Sequence, residues 1–277
     1  MSTATRFDLI PMRRRSSLAL AVISLVGIAA FSWPLFVDPG SAVGGSHATD
    51  APWLFVLLLP LLAAVVLAEL TSGGMDAKSV ALLGMLTAVG AALRVVSPFA
   101  AGLEPSWIVV VLGGRVFGRG FGFVLGALHI FVGALAIGAV GPWMPFQMFA
   151  AGWVGFLAGC LPGWRGRAEI GVLAAYAAVA GLGYGVVMNM WFWPFVSYGP
   201  EVAFVAGDPV LDNLRRYAVF WATTSLGWDL PRGGLTALAV VVLGRPVLAA
   251  LRRNARRAAF GEPVTFTAAH GRASPPA

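Results

Sequence analysis

The chain has 277 residues, of which 58% are hydrophobic and 11% charged. Soluble domains carry roughly 25% charged residues, so this sequence has too few charges to coat a water-facing surface and must meet lipid over most of its length. Its formal charge of +7 gathers beside apolar runs: Arg13, Arg14 and Arg15 precede the first, and Arg252, Arg253, Arg256 and Arg257 follow the last. That placement fits the positive-inside rule and attraction to anionic headgroups, and it argues against a nucleic-acid surface.

The first apolar run, 17–37, is too long for a signal-peptide core and lacks an A-x-A cleavage site, so a retained helix is expected. A bilayer-crossing helix needs about 20 apolar residues, which gives further candidate spans at 53–70, 79–96, 105–117, 121–137, 145–161, 170–193 and 230–251. With the N-terminus inside, Lys78, Arg115, Arg119, Arg165, Arg167 and the C-terminal arginines all fall on the inner side. Arg215 and Arg216 break the pattern, beside Glu201, Asp208 and Asp212. The expected fold is all-α, a polytopic bundle of about eight spans in a bacterial plasma membrane, both termini cytoplasmic. Its parts are a basic segment (1–16), a helical hairpin (17–72), a six-helix core (79–257) and a disordered tail (258–277). Residues 217–227 are expected to form a short outer helix over the membrane face.

Polar groups at membrane depth need a partner or a watery cavity, which makes them the informative residues. Arg94 closes the third span and Glu104 precedes the fourth, so the two can pair or snorkel separately. His129 lies mid-span; the other histidines, His47 and His270, sit in a loop and in the tail, so no metal site is expected. In Gly141-Pro142-Trp143-Met144-Pro145-Phe146-Gln147-Met148 two prolines bracket a turn and the second starts a helix. Gln147 then faces a ligand or a neighbouring helix, with Trp143 and Phe146 beside it. Asn189 precedes Trp191, Phe192 and Trp193, an amide among rings that suits an apolar pocket or an interhelical contact. The tryptophans near the outer ends form either an interfacial belt or, in part, a pocket for a flat ligand. Asp229 reads as an N-cap with Pro231 in the first turn, which places Arg232 at the outer mouth of the last span.

Gly84, Ala88 and Ala92 recur every four residues and share a face, which suits close helix packing within the bundle or against a partner subunit. Gly122, Gly126 and Gly133 form a weaker version on the fifth span. The Gly-rich turn 115–122 lacks the Lys-Ser/Thr ending of a phosphate-binding loop, so no nucleotide site is assigned. The single cysteine, Cys160, rules out an intramolecular disulfide.

Four stretches, ALLGMLTAVGAALRVV (81–96), GGRVFGRGFGFVLGAL (113–128), GPWMPFQMFAAGWVGFLAGCLP (141–162) and DLPRGGLTALAVVVLGRPVL (229–248), resemble the S components of energy-coupling factor (ECF) transporters. The resemblance implies a six-helix core that captures a vitamin or vitamin precursor from outside. It also implies docking, through an A-x-x-x-A pattern matched by Ala88 and Ala92 and extended by Gly84, onto a transmembrane T component carrying two ABC ATPases. On this reading Arg94, His129, Trp143, Phe146, Gln147, Asn189, Trp191, Trp193 and Arg232 are the candidate substrate-binding residues. No catalytic residue, metal or cofactor is assigned. The first two spans are additional to the usual six. An ion-coupled secondary carrier, a membrane-embedded enzyme and a ligand-free scaffold subunit are the alternatives. The first lacks clear repeats, and the second lacks DDxxD, HExxH and EExxxR patterns.

Overall fold

The computed structural model describes residues 14–32, 35, 77–96, 102–195 and 199–257. Among these it shows eight α-helices, α1 (Arg14–Ser32), α2 (Ala77–Val95), α3 (Trp107–Phe117), α4 (Arg119–Ile137), α5 (Met144–Cys160), α6 (Arg167–Phe192), α7 (Val210–Thr224) and α8 (Leu226–Arg257), with a 3-10 turn at Trp193–Phe195. No strand occurs among the described residues, and the chain is a helical membrane bundle. By length and composition, α2, α4, α6 and α8 can each cross a membrane, while α1, α3 and α5 are shorter apolar helices. The expected span at 53–70 and the tail at 258–277 lie outside the described residues.

Glycine sets the tightest features. One residue, Gly118 at φ 103°, joins α3 to α4, a backbone setting that side chains disfavour. At the other end of α4, Gly138 adopts the left-handed conformation while Gly138 and Ala139 donate to Leu135 O and Ala134 O, a Schellman stop. Between these ends the backbones of α3, α4 and α5 touch. A Cβ on Gly114 or Gly122 would lie within 2.3 Å of Gly155 O, and one on Gly126 would lie 2.1 Å from Ala151 O. Close approach of this kind is how membrane helices associate without a hydrophobic driving force. Around this seam Phe117, Phe121, Phe123, Leu125 and Phe149 are fully buried.

Helix α1 is built into the bundle. Phe31 meets Phe146 edge-on at 5.0 Å, and Trp153 Nε1 donates to Ser24 Oγ at 3.1 Å. Gly27 lies against the rings of Phe149 and Trp153.

Two sequence expectations shift. The outer helix expected at 217–227 is α7, Val210–Thr224, with a break at Ser225 before α8 begins. It starts earlier because its own small core holds it: Trp193, Tyr217 and Phe220 pack together, and Asn213 pins the preceding loop through Val205 N–H and Val205 O. Asp229 is no N-cap. It lies in the first turn of a helix that starts at Leu226, and its carboxylate is taken by Trp221 Nε1 and Arg232. The two arginines that break the charge rule are matched locally, Arg216 to Asp208 at 2.6 Å and Arg215 to Asp212 at 3.3 Å.

Candidate functional site

The C-terminal ends of α2, α4 and α6 and the N-terminal ends of α3, α5 and α8 share one end of the antiparallel bundle. There the chain places its buried polar network. Glu104, in the α2–α3 connection, is the hub. Its Oε2 accepts from Trp107 Nε1 at 2.5 Å, its Oε1 lies 3.8 Å from Arg94 Nη1, and Arg232 Nε approaches Oε2 at 3.6 Å. Arg94 Nη2 reaches Gln147 Oε1 at 3.5 Å. Arg232 in turn donates to Asp229 at 2.5 Å and sits 5.0 Å from the Tyr184 ring centre, and Trp221 donates to Asp229 at 2.9 Å. Tyr184 meets Trp107 edge-on at 4.6 Å, and Trp107 meets His129 at 6.0 Å. Two guanidiniums thus face two carboxylates, so the network is formally neutral, as low-dielectric surroundings demand.

Burial alone would raise the Glu104 carboxyl. The guanidiniums of Arg232 and Arg94, helped by the Trp107 donor, outweigh it and hold the group below its usual range. Glu104 is therefore a carboxylate at neutral pH.

Glycines carve the room for this network. A Cβ on Gly133 would lie 2.6 Å from Arg94 Cδ, so Gly133 leaves the groove in which the arginine stem lies. Gly185 does the same for Asp229, whose Oδ2 would be 1.7 Å from an added Cβ. Gly90 lets α2 close on His129. Gly133, grouped by spacing with Gly122 and Gly126, thus serves a different purpose from those two, which carry the helix seam.

The network is not saturated. His129 is fully buried; its Nδ1 donates to Gly126 O at 2.8 Å, and Nε2 has no partner. Arg94 Nε, Arg232 Nε, Ser106 Oγ and Thr87 Oγ1 are likewise buried without a hydrogen bond. An unpaired buried polar atom costs about 1–3 kcal/mol, so several near one end require a reason.

Of the sequence candidates, Arg94, His129, Gln147 and Arg232 gather around Glu104. Phe146 and Trp191 stack face to face at 4.7 Å and 9°, with Phe146 adjacent to Gln147 in the chain. The other three lie apart. Asn189 donates to Gly185 O in its own helix at 2.7 Å. Trp143 is exposed at the surface, folded over Gly141. Trp193 lies under α7, donating to Val202 O at 2.6 Å and packing on Tyr217. Sequence reading missed Trp107, Tyr184, Asp229 and Trp221 as members. For Asp229 a signal was present, because Gly185 on α6 is the space its carboxylate fills, but a glycine among so many is not readable as such.

Among the described residues, nothing covers the small-residue face of α2. Gly84, Ala88 and Ala92 are exposed, and Gly84 has nothing within 4 Å of where a Cβ would stand, while Leu82, Leu83, Leu86, Gly90 and Ala91 turn inward.

At the opposite end, Glu169 accepts from Arg115 Nε at 2.7 Å and from Arg252 Nη2 at 2.6 Å. Arg115 also donates to Leu161 O and Trp164 O, both at 3.0 Å. This clamp ties α3, the α5–α6 connection, α6 and α8 together.

Searches of curated proteins and of solved structures return no match to this chain. Residues 78–244, well over half of the sequence, match the family model of the ECF transporter substrate-specific component, and those residues run from α2 into α8 through every member of the Glu104 network. The chain therefore belongs to the substrate-specific components of ECF transporters, a family of multi-pass membrane transport subunits that bind substrate.

Proposed function

We propose that this chain captures a vitamin or vitamin precursor at the Glu104 end of the bundle, that this end faces outward, and that import is driven by a transmembrane T component carrying ABC ATPases. The observation that carries the reading is the unsaturated polar network. Hydrocarbon offers no partner to His129 Nε2 or Arg94 Nε, whereas a small polar ligand offers both donors and acceptors. The Phe146–Trp191 stack supplies apolar faces beside Gln147. Arg94, His129, Gln147 and Arg232 are the residues assigned to the substrate. Asn189, Trp143 and Trp193 support the site's surroundings rather than the ligand.

The exposed Gly84, Ala88 and Ala92 stripe supports docking of a partner helix there, because a flat small-residue face gains by close packing in lipid. The Arg115 end, with Lys78 and the C-terminal arginines, suits the cytoplasm, with the core spanning 79–257.

The test is uptake of a labelled vitamin panel into cells expressing the chain with and without T component and ATPases. Accumulation of one compound that needs all subunits and stops on ATP depletion is the expected result. Uptake by this chain alone that collapses with an uncoupler and survives ATP loss would overturn the reading in favour of an ion-coupled carrier.

A further inference from the structure

The end of the bundle opposite Glu104 carries a half-open cavity of about 600 Å3. Six guanidiniums border it, those of Arg115, Arg165, Arg245, Arg252, Arg253 and Arg256, against one carboxylate, Glu169. That carboxylate is already engaged by Arg115 and Arg252, and Arg115 is further held through Nη1 to Leu161 O and through Nη2 to Trp164 O. Arg245, Arg253 and Arg256 are exposed and have no acceptor among the described residues. Arg245, Arg252 and Arg256 are seven and four residues apart, which stacks them on one face of α8 above the cavity wall formed by Leu248.

Positive-inside topology explains arginines at a helix end. It does not explain why they converge on a hollow, where like charges repel and no carboxylate among the described residues answers Arg245, Arg253 or Arg256. The wall between them is apolar, with Ile170 and Leu248 buried and Trp164 half-exposed. Rigid guanidinium forks matched to an apolar floor are suited to a multiply charged oxyanion with hydrocarbon attached, or to the oxyanion alone.

We propose that this cavity is a binding site for a phosphate-bearing anion, held by Arg245, Arg253 and Arg256 over the Arg115–Glu169–Arg252 clamp. The phosphate comes either from an anionic lipid headgroup, whose chains lie against Trp164 and Leu248, or from a free phosphate in the adjoining water. The site is separate from the Glu104 network and stands whether or not that network holds a substrate.

The experiment uses the full-length chain in nanodiscs of phosphatidylcholine. Two probes are added separately, phosphatidylglycerol, counted by native mass spectrometry, and inorganic pyrophosphate, followed by calorimetry. The variant is R245Q/R253Q/R256Q, which spares the clamp, and the control is R13Q/R14Q/R15Q, which removes the same charge elsewhere. Saturable binding of either probe is expected in wild type and control, with a loss of about tenfold or more in the cavity variant. Retention of phosphatidylglycerol with no pyrophosphate signal assigns the lipid source, and pyrophosphate binding in pure phosphatidylcholine assigns the free one. Should the triple variant melt early, R253Q alone carries the comparison, since its side chain is exposed and outside the Glu169 clamp. Failure of both probes to saturate, or equal losses in the cavity variant and the control, would overturn the proposal.

Discussion

Glu104 stands between two guanidiniums on separate helices, so its charge is what allows Arg94 and Arg232 to approach the same point. Glu104→Gln leaves two cations facing a neutral amide. Because the side chain is partly exposed, the cost should be about 2 kcal/mol, below that of breaking a fully buried pair. The pH dependence follows from the lowered carboxyl. A depressed group contributes stability above its ordinary value of 4.5 and loses it as pH falls through the lower native value. Thermal melts should show wild type ahead of E104Q from pH 7 to 5, with the gap closing only below the ordinary carboxylate range. A gap that closes between pH 7 and 5 would show that Glu104 is not held by its arginines.

Arg94, His129, Gln147 and Arg232 were visible in the sequence as polar groups in or beside apolar runs, each open to a pairing or packing role as well as a ligand role. Tyr184 and Asp229 were not. A tyrosine in an apolar helix reads as core, and an aspartate two residues before proline reads as a cap. What decides otherwise is the crossing of α6 and α8, where Gly185 admits the Asp229 carboxylate and Gly181 meets Gly233. Most of the tryptophans suffered the same ambiguity. Trp107, Trp153, Trp193 and Trp221 all donate inward to protein acceptors, whereas Trp143, Trp164 and Trp228 are exposed as belt residues would be.

Among the elements, hydropathy located α2, α4, α5 and α6 to within a few residues, because long apolar runs bounded by Gly, Pro or Arg leave little choice. It served α7 less well. That helix is amphipathic and polar at one edge, and its start is fixed by Asn213 bonding to Val205 rather than by composition. Burial within the 199–224 segment, together with the Asp229 carboxylate, also pushes the Tyr217 hydroxyl above its usual range, so it stays a donor to Val186 O. The two glycine patterns looked alike in sequence and diverge in space: Gly122 and Gly126 are consumed by α5, while Gly84, Ala88 and Ala92 face outward. Ala88→Leu should therefore leave folding and ligand affinity within about 0.5 kcal/mol, as surface substitutions usually do. ATP-driven uptake and co-purification of the T component should fall by about tenfold or more if that face packs closely against a partner helix. Loss of ligand affinity in A88L, with partner binding intact, would contradict a docking role for α2.

At the scale of the whole molecule the two ends of the bundle differ in electrostatic character. One holds a neutral, buried and unsaturated network drawn from nearly every helix. The other holds a clamp around Glu169 and a surplus of exposed arginines. The alternation of helices keeps the two apart, and α1, joined through Phe31, Ser24 and Gly27, packs on α5. The asymmetry supports the proposed reading, in which the Glu104 end takes the ligand and the arginine-rich end is held on the cytoplasmic side by its charge. Its central requirement is that the Glu104 network meets a ligand. The most direct measurement is mass spectrometry of small molecules that co-purify with the full chain, compared between wild type and the double variant R94Q/E104Q, which removes one charge of each sign and leaves the Arg232–Asp229 pair intact. Wild type should carry one organic compound near stoichiometrically and the variant should release it while keeping a native melting profile with α2 and α8 in place. A compound retained equally by both proteins would show that substrate is held elsewhere.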